Sequence, residues 1–572
     1  MLIRIDFRKA FDNLWWTSVI NRLIKTKCPS NITNLMKNYL SKRTAGFYTN
    51  NIKVEVEVTR GCPQGSRCGP GVWNLVLDEL LEQQEDTEEL RIQAYADDTL
   101  IMVAHKNCDR VAEIANNTLT KIWTWSNKHR LPINYEKCEA IVITRKNKRS
   151  QLKRAIGVKI HGKGIKNVQQ MKYLGIVFNR TLNWQHHINY VCNKATERSN
   201  QLSSITRNTW GLHPKHTKTI YLQAIEPAVL YGVQIWNAAL DRVHVKRKLL
   251  SIQRKSAIRI CRAYRTSPTD ALLVISNLTP IHLKGKQITW EWTLFNKNFA
   301  DISESDIEQL QKRGNLPPDN TKDISRFIQS IDHKLKNKDL QIDPRMRCPY
   351  KVLLEYDNTT NQENEQLITI YTDGSKDNQG VGSGLIIKKG NKTMYQAAFR
   401  LTNECTITQA ELWVIYKAIS YIKQLNLTMP KKITIFTDSK VALYILKTIK
   451  NSSALAVDLI ALAHDLGQQF EILFQWIPSH SGYRGNKLAD KLANKARTNS
   501  NITYTRFPVN HVYRYIRQEI RILWQGEWDK SNTRRQCYKF IPSIERRQKT
   551  KVSTQATNSH NVSVDTGHSM PT

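Results

Sequence analysis

The stretch Ile368-Thr369-Ile370-Tyr371-Thr372-Asp373-Gly374-Ser375 reads as an apolar strand that ends on a carboxylate beside a glycine turn. Ile433-Thr434-Ile435-Phe436-Thr437-Asp438-Ser439 repeats that arrangement. Between them Glu411 opens a helix in Thr408-Gln-Ala-Glu411-Leu, and Asp490 follows the Gly-rich loop Ser481–Gly485 on another helix. A single Asp before Gly is usually a turn residue. Four acids at strand ends and on helices of one compact unit are harder to explain structurally, because like charges repel without a cation between them. Phosphodiester hydrolysis gives such a cluster a use. Two divalent ions about 4 Å apart neutralise the attacking and leaving oxygens, and hard cations need several oxygen ligands to hold them.

Outward from these acids, residues 367–497 read as strand, Gly-rich turn, two strands, helix, strand, two helices, strand, loop and helix, an α/β order with a mixed sheet. Upstream, residues 1–185 alternate short strands and helices. Leu2–Ile5, Lys53–Thr59 (one face exposed), Glu139–Thr144 and Tyr173–Phe178 read as strands. Thr17–Ile24, Ile32–Leu40, Gly71–Leu81 and Val111–Lys128 read as helices, and Arg91–Ala104 as a hairpin with Ala96-Asp97-Asp98 at its tip. Residues 186–310 are mostly helical; Thr217–Trp236 and Val245–Tyr264 are amphipathic with basic outer faces. Residues 311–366 are polar and read as a linker containing one helix. Basic amphipathic helices occupy 498–548, and the composition of 549–572 predicts a disordered tail.

Lysine and arginine number 86 against 49 aspartates and glutamates, a net charge of +37. Such an excess repels itself unless a polyanion neutralises it, and nucleic acid, which releases counterions on contact, is the partner it selects. A hydrophobic share of 40% excludes a disordered chain. The 10 cysteines include no Cys-x-x-Cys pair, so they read as reduced thiols of an intracellular protein. His186, His187 and Cys192 lie close in sequence, but three ligands without a fourth read better as a helix surface than as a zinc site. No secretory signal opens the chain, and no apolar run reaches the roughly 18 residues of a membrane helix, so no membrane partner is expected.

Taken together, Tyr371-Thr-Asp373-Gly-Ser375, Thr408-Gln-Ala-Glu411-Leu, Thr437-Asp438-Ser, Pro478-Ser-His480-Ser-Gly and Asn486-Lys-Leu-Ala-Asp490 resemble type 1 ribonuclease H, motif by motif and in order. The resemblance implies hydrolysis of the RNA strand of an RNA–DNA hybrid, with two Mg2+ or Mn2+ ions per site. It implies Asp373, Glu411, Asp438 and Asp490 as metal ligands and His480, on a loop, as an aid to proton transfer or product release. It also implies Ser375 and Asn486 as substrate contacts, Asn486 lying one helical turn before Asp490 and on its face. Some cellular members insert a basic helix after the third acid. Leu446–Asp458 carries no basic cluster, so grip on the hybrid is expected from the rest of the chain. Selectivity for RNA would rest on reading 2′-hydroxyls.

Residues 1–185 carry a second carboxylate signal in Ala94-Tyr-Ala-Asp97-Asp98, with Asp6 at the end of the first strand as a third oxygen donor. Alone, Asp-Asp in a hairpin is more often a turn. In company with Ile5-Asp6-Phe-Arg-Lys-Ala-Phe11-Asp12, Arg60-Gly-Cys-Pro63-Gln64-Gly65-Ser66, Leu131-Pro-Ile-Asn-Tyr-Glu-Lys137 and Lys172-Tyr-Leu-Gly175, it resembles the successive palm motifs of a reverse transcriptase. The nearest resemblance is to non-LTR retrotransposons of the jockey and I-factor type. It implies Asp6, Asp97 and Asp98 as ligands of two ions, Phe11 as the residue excluding a ribose 2′-hydroxyl, Gln64 against nucleotide and template, and Lys137 as proton donor to pyrophosphate. Only five residues precede Asp6. A fingers region and an upstream endonuclease are therefore not expected here, nor is independent polymerase activity without fingers to close over a nucleotide.

The expected architecture is α/β and α+β multidomain: a truncated reverse-transcriptase palm (1–185), a helical thumb-like segment (186–310), a linker (311–366), a ribonuclease H α/β domain with a mixed sheet (367–497) and a basic helical extension (498–548). The expected function is metal-dependent endonucleolytic hydrolysis of hybrid RNA within a retrotransposon-derived chain. RNA template and DNA primer are the further partners, in a nuclear or cytoplasmic ribonucleoprotein. An active reverse transcriptase, and a remnant that only binds nucleic acid, are the rival expectations.

Overall fold

The computed structural model describes residues 1–49, 52–63, 65–83, 87–144, 156–204, 211–296, 304–317, 324, 327, 330–333, 349–355, 367–425, 432–448, 453–479, 483–533 and 535–545. Gln64, His480, the 549–572 tail and most of the 311–366 linker fall outside these. The chain divides into two compact units, Met1–Leu202 and Ser203–Thr572.

The first unit is built on β1 (Leu2–Asp6), whose Ile3 and Ile5 are fully buried. A ribbon follows, β2 (Arg43–Thr49) paired with β3 (Ile52–Val58). Then come α1 (Gly69–Glu82), β4 (Leu90–Tyr95), β5 (Asp98–Val103), α2 (Cys108–Lys128), β6 (Glu139–Ile141) and β7 (Lys166–Asn167). The sheet order is β4-β5-β1-β6-β7. Phe7, just beyond β1, meets Trp73 of α1 and Trp125 of α2 edge-on, at ring separations of 6.2 and 5.7 Å. One aromatic residue thus ties the central strand to both helices.

Three expectations need correction here. Lys53–Thr59 was expected to bury one face, but β3 is exposed on both, with Val54 and Val56 open to solvent. It pairs with β2 alone, and a two-stranded ribbon has no layer of its own to cover its apolar side. Tyr173–Phe178 is not one strand but the turn of a hairpin, β8 (Gln170–Tyr173) against β9 (Ile176–Asn179). Leu174 and Gly175 both have positive φ (43° and 81°), as the two-residue turn of a twisted hairpin requires. His186, His187 and Cys192 were expected on a helix surface, but His187 and Cys192 are buried; His187 accepts from the Val177 N–H at 3.3 Å, and desolvation lowers its pKa to about 4.

In the second unit, Thr217–Trp236 is not continuous. Helix Pro214–Ile220 passes into a π turn at Tyr221–Ile225, then a short helix at Glu226–Val229. Pro227 cannot donate to the preceding turn, and Gly232 (φ 62°) breaks the chain again. Helices α3 (Val243–Cys261) and α4 (Ile281–Asn296) follow.

The nuclease-like sheet begins earlier than expected, at β10 (Tyr350–Leu353), inside the segment read as linker. Next come β11 (Ile368–Lys376), β12 (Val381–Lys389), β13 (Lys392–Leu401), α5 (Ile407–Gln424), β14 (Lys432–Thr437), α6 (Lys440–Lys447), α7 (Ala454–Gly467), β15 (Glu471–Trp476), α8 (Arg484–Ala496) and β16 (Ile502–Tyr504). The order β10-β15-β14-β11-β12-β13-β16 is mixed: β10, β15, β14 and β11 run parallel, while β11, β12 and β13 alternate. Then comes α9 (Val509–Lys530), which packs on α4 through an i, i+4 stripe of Val512, Ile516, Ile520, Trp524 and Trp528, and a short helix, Arg535–Phe540, follows it.

Candidate metal centre

Parallel pairing sets the centre of the site. Thr372 on β11 lies opposite Thr437 on β14. The next residue on each strand is Asp373 or Asp438, so two carboxylates emerge side by side from the carboxyl ends of neighbouring parallel strands. Such ends are where open α/β sheets place their ligands.

Glu411 arrives from α5. A capping box of Thr406 and Gln409 starts that helix, which puts Glu411 in its second turn over β11. The Gly374 N–H donates to Glu411 Oε1 at 2.9 Å. The other oxygen, Oε2, is buried with no donor in hydrogen-bonding geometry. Burial, then the charges of Asp373 and Asp438, raise the Glu411 pKa well above the ordinary range, and the Gly374 N–H and the Thr437 hydroxyl offset little of this. Asp373, only 7% exposed, is pushed up to about 7 by burial and by the charges of Asp438 and Asp490.

Ligand oxygens of Asp373, Glu411 and Asp438 all lie within 4.8 Å of one another, the one such group of three or more acidic, His or Cys residues among the described residues. A buried carboxylate oxygen with no donor, in a cluster whose members repel, fits a divalent cation.

Asp490 approaches Asp373 from α8, but its oxygens do not complete the 4.8 Å group. The approach depends on glycine. Gly384 is the register partner of Asp373, and a Cβ on it would land on the Ala489 carbonyl oxygen; one on Gly382 would land on that of Ala493. Helix α8 therefore lies with its backbone directly on β12. The "Gly-rich turn" of the sequence reading is in part strand, and its glycines are what seat the helix carrying Asp490. Asn486, one turn earlier on α8, is buried with its Oδ1 unpaired. Ser375 donates to Asn494 Oδ1 at 2.7 Å. His480 lies outside the described residues.

Beside Asp438, Trp476 donates its indole N–H to the Asp438 carbonyl at 3.1 Å and carries the Lys440 ammonium 3.9 Å above its ring. Sequence reasoning missed both. Their positions, one at the end of β15 and one on the residue after Asp438-Ser439, were the available signal.

In the first unit, antiparallel register places Asp6 opposite Asp98. Tyr95 pairs with Asp98 across the two-residue loop Ala96-Asp97, where Ala96 has φ 53° and its carbonyl accepts from Trp73 Nε1 at 2.8 Å. Burial raises the Asp98 pKa, Arg4 at 3.8 Å opposes the rise, and Asp97 and Asp6 add to it. These three acids are neighbours but not gathered as tightly as the nuclease trio. Phe11 is half-buried, 5.6 Å from the Trp73 ring, and Lys137 is exposed. Gln64 lies outside the described residues.

The comparisons define the class. Residues 1–178 match the reverse transcriptase (RNA-dependent DNA polymerase) family, and residues 364–498 match the RNase H family. The chain is 30% identical over 302 residues to the 115 kDa protein in type-1 retrotransposable element R1DM of Drosophila melanogaster, covering 53% of this chain and 28% of that one. It is 24% identical over 270 residues to the RNA-directed DNA polymerase from mobile element jockey of the same organism, covering 45% and 28%. Among solved structures, the RNase H1 of Halobacterium salinarum aligns at 18% identity over 23% of this chain and 96% of its own, with a TM-score of 0.19. LC11-RNase H1 in complex with an RNA/DNA hybrid aligns at 18% over 23% and 98%, with a TM-score of 0.20. This is a reverse-transcriptase chain with a C-terminal ribonuclease H domain and a candidate acidic site. It belongs to the non-LTR retrotransposon reverse transcriptases of the R1 and jockey type, and it spans 28% of the length of the first curated relatives it matches. Among the described residues no helix is long and apolar enough to cross a membrane.

Proposed function

We propose that this chain hydrolyses the RNA strand of RNA–DNA hybrids, endonucleolytically and with Mg2+ or Mn2+, two ions per site. The observation that carries the reading is the Asp373–Glu411–Asp438 cluster, with ligand oxygens within 4.8 Å and Glu411 Oε2 buried without a donor. Bound divalent ions would supply a nucleophilic hydroxide and neutralise the leaving oxygen. The chain's own groups hold and orient. Asp373 and Asp438 present oxygens from adjacent strand ends, Glu411 closes the floor with one oxygen fixed by Gly374, and Asp490 stands at the edge beside Asp373. Asn486 and Ser375 keep the substrate-contact roles that the resemblance implies, and His480 its role in proton transfer or product release.

The test is a 5′-labelled RNA–DNA duplex incubated with the chain and Mg2+ or Mn2+. RNA cleavage is expected, with loss of roughly 100-fold or more in Asp438→Asn, since charge stabilisation of the transition state is removed. Activity persisting in that variant defeats the assignment. Tight, salt-sensitive hybrid binding without metal-dependent cleavage would favour a binding-only remnant.

A second reading is RNA-templated DNA synthesis by the first unit, with RNA template and DNA primer as partners and Asp6, Asp97, Asp98, Phe11, Gln64 and Lys137 in their expected roles. Its support is the Asp6–Asp98 register at the hairpin tip. Primer extension lost in Asp98→Asn would support it. Both readings place the chain in a retroelement ribonucleoprotein of nucleus or cytoplasm.

A further inference from the structure

We infer that Asn494 is a positioning residue for Asp490, and that Ser375, Arg497 and Asp377 hold Asn494 in place. The inference rests on the nuclease reading, because it concerns how the fourth acid is brought to the metal cluster.

Asp490 needs help that the other three do not. The pairing of Thr372 with Thr437 sets the backbone that carries Asp373 and Asp438, and the Gly374 N–H holds Glu411. Asp490 sits on a helix beside Asp373, whose carboxyl hydrogen-bonds it when protonated and whose like charge pushes it away when ionised. Its side chain can escape by rotation. Asn494, four residues on and on the same helical face, donates from Nδ2 to Asp490 Oδ1 at 2.9 Å.

The sense of that amide is fixed by its other end. Asn494 Oδ1 accepts from the Ser375 hydroxyl at 2.7 Å. Ser375 Oγ in turn accepts from Arg497 Nη1 at 3.2 Å, which directs the hydroxyl proton toward Asn494. The Arg497 guanidinium is itself anchored on Asp377 Oδ2 at 2.9 Å and on the Asn494 carbonyl, through Nε, at 3.2 Å. Donor follows acceptor at each step from Asp377 to Asp490. Reversing the amide would set its NH2 against a guanidinium-bound hydroxyl and its oxygen against a carboxylate. Hydrogen bonds of this kind, one layer out from metal ligands, orient the ligands and set affinity.

A tie that merely fastened α8 to β11 would cost stability and leave metal affinity alone. The experiment therefore reads metal binding. The full chain is prepared with Asp97→Asn and Asp98→Asn, so that the first unit contributes no ion, and titrated with Mn2+ by calorimetry. Asn494→Ala is expected to weaken binding roughly 10- to 100-fold. Ser375→Ala, which frees the amide without removing it, is expected to weaken it less and in the same direction. If Asn494→Ala does not fold, Ser375→Ala alone decides. Unchanged Mn2+ affinity in the folded variants, with normal binding by the parent, overturns the inference and leaves the nuclease reading standing. A parent that binds no Mn2+ overturns the nuclease reading itself.

Discussion

Gly374 and Glu411 are joined by a 2.9 Å hydrogen bond from a backbone N–H to Oε1, and a side chain larger than glycine's would crowd the carboxylate. A Cβ at Gly374 would stand 3.0 Å from both Glu411 Cδ and Oε1, and 3.1 Å from Cγ. The Glu411 side chain is buried and has little room to retreat. Gly374→Ala is therefore expected to shift the carboxylate by a few tenths of an ångström. Hybrid cleavage should fall about 10-fold, because misplacement of about 1 Å can cost about 100-fold. The thermal midpoint should barely move. Cleavage assays beside a melting curve check this, and full activity in Gly374→Ala counts against Glu411 as a ligand.

The pH dependence follows from Asp373, whose pKa rises from 3.8 to about 7 through burial and the charges of Asp438 and Asp490. The folded chain holds this proton more tightly than the unfolded chain does. Between about pH 4 and 7 it binds more protons, so stability from this group is present in acid and is lost as pH rises through 7. In metal-free protein, the melting temperature of Asp373→Asn should gain on that of the natural chain as pH climbs from 4 to 7. Adding Mg2+ at pH 7.5 should close the gap, because the ion takes over the proton's role. A gap that is flat with pH defeats this account.

What could be read in advance follows the range of the forces involved. The acids stood out because each ends an apolar run or opens a helix, which is local information. The parallel register of Thr372 with Thr437 was not legible, yet it makes Asp373 and Asp438 neighbours. Gly382 and Gly384 looked like turn residues, because composition cannot tell a turn from a strand on which a helix backbone rests. Pro227 and Gly232 were visible inside the Thr217–Trp236 stretch, but its apolar period outweighed them. The Ser375–Asn494–Asp490 chain of hydrogen bonds joins residues far apart in sequence and had no local signature.

The seat of α8 gives a prediction of the opposite kind to Gly374. Gly384→Ala would drive a Cβ into the Ala489 carbonyl and the Ala493 amide, both backbone atoms of the helix. Neither can turn aside, so the whole helix must lift. Overpacking of this sort costs about 2 kcal/mol, and here it also carries Asp490 away from Asp373. Urea unfolding should report the loss of stability, and cleavage should fall with it. An unperturbed Gly384→Ala protein would mean that α8 does not lie on β12 as described.

The last prediction concerns where the folding unit of the nuclease domain starts. Asp332 lies upstream of the RNase H family match yet is only 4% exposed. Its Oδ1 accepts from the Leu455 N–H at 2.8 Å, and its Oδ2 accepts from Ser453 Oγ and Gln409 Nε2, both at 2.9 Å. It therefore caps the start of α7 and braces Gln409, two residues before Glu411. Neighbouring Ile331 bridges to Phe507, and β10 adds a strand beside β15. Asp332→Ala would remove the carboxylate that three donors share and leave the Leu455 N–H without its acceptor, and a buried donor left unpaired costs about 1–3 kcal/mol. The full chain carrying Asp332→Ala should lose roughly 2–3 kcal/mol of stability in the second unit, with weaker cleavage because Glu411 shares its helix with Gln409. Fragments make the same point: one spanning 324–545 should unfold cooperatively at a higher temperature than one spanning 364–498. Equal melting temperatures for the two would show that the upstream segment is a passive tether after all.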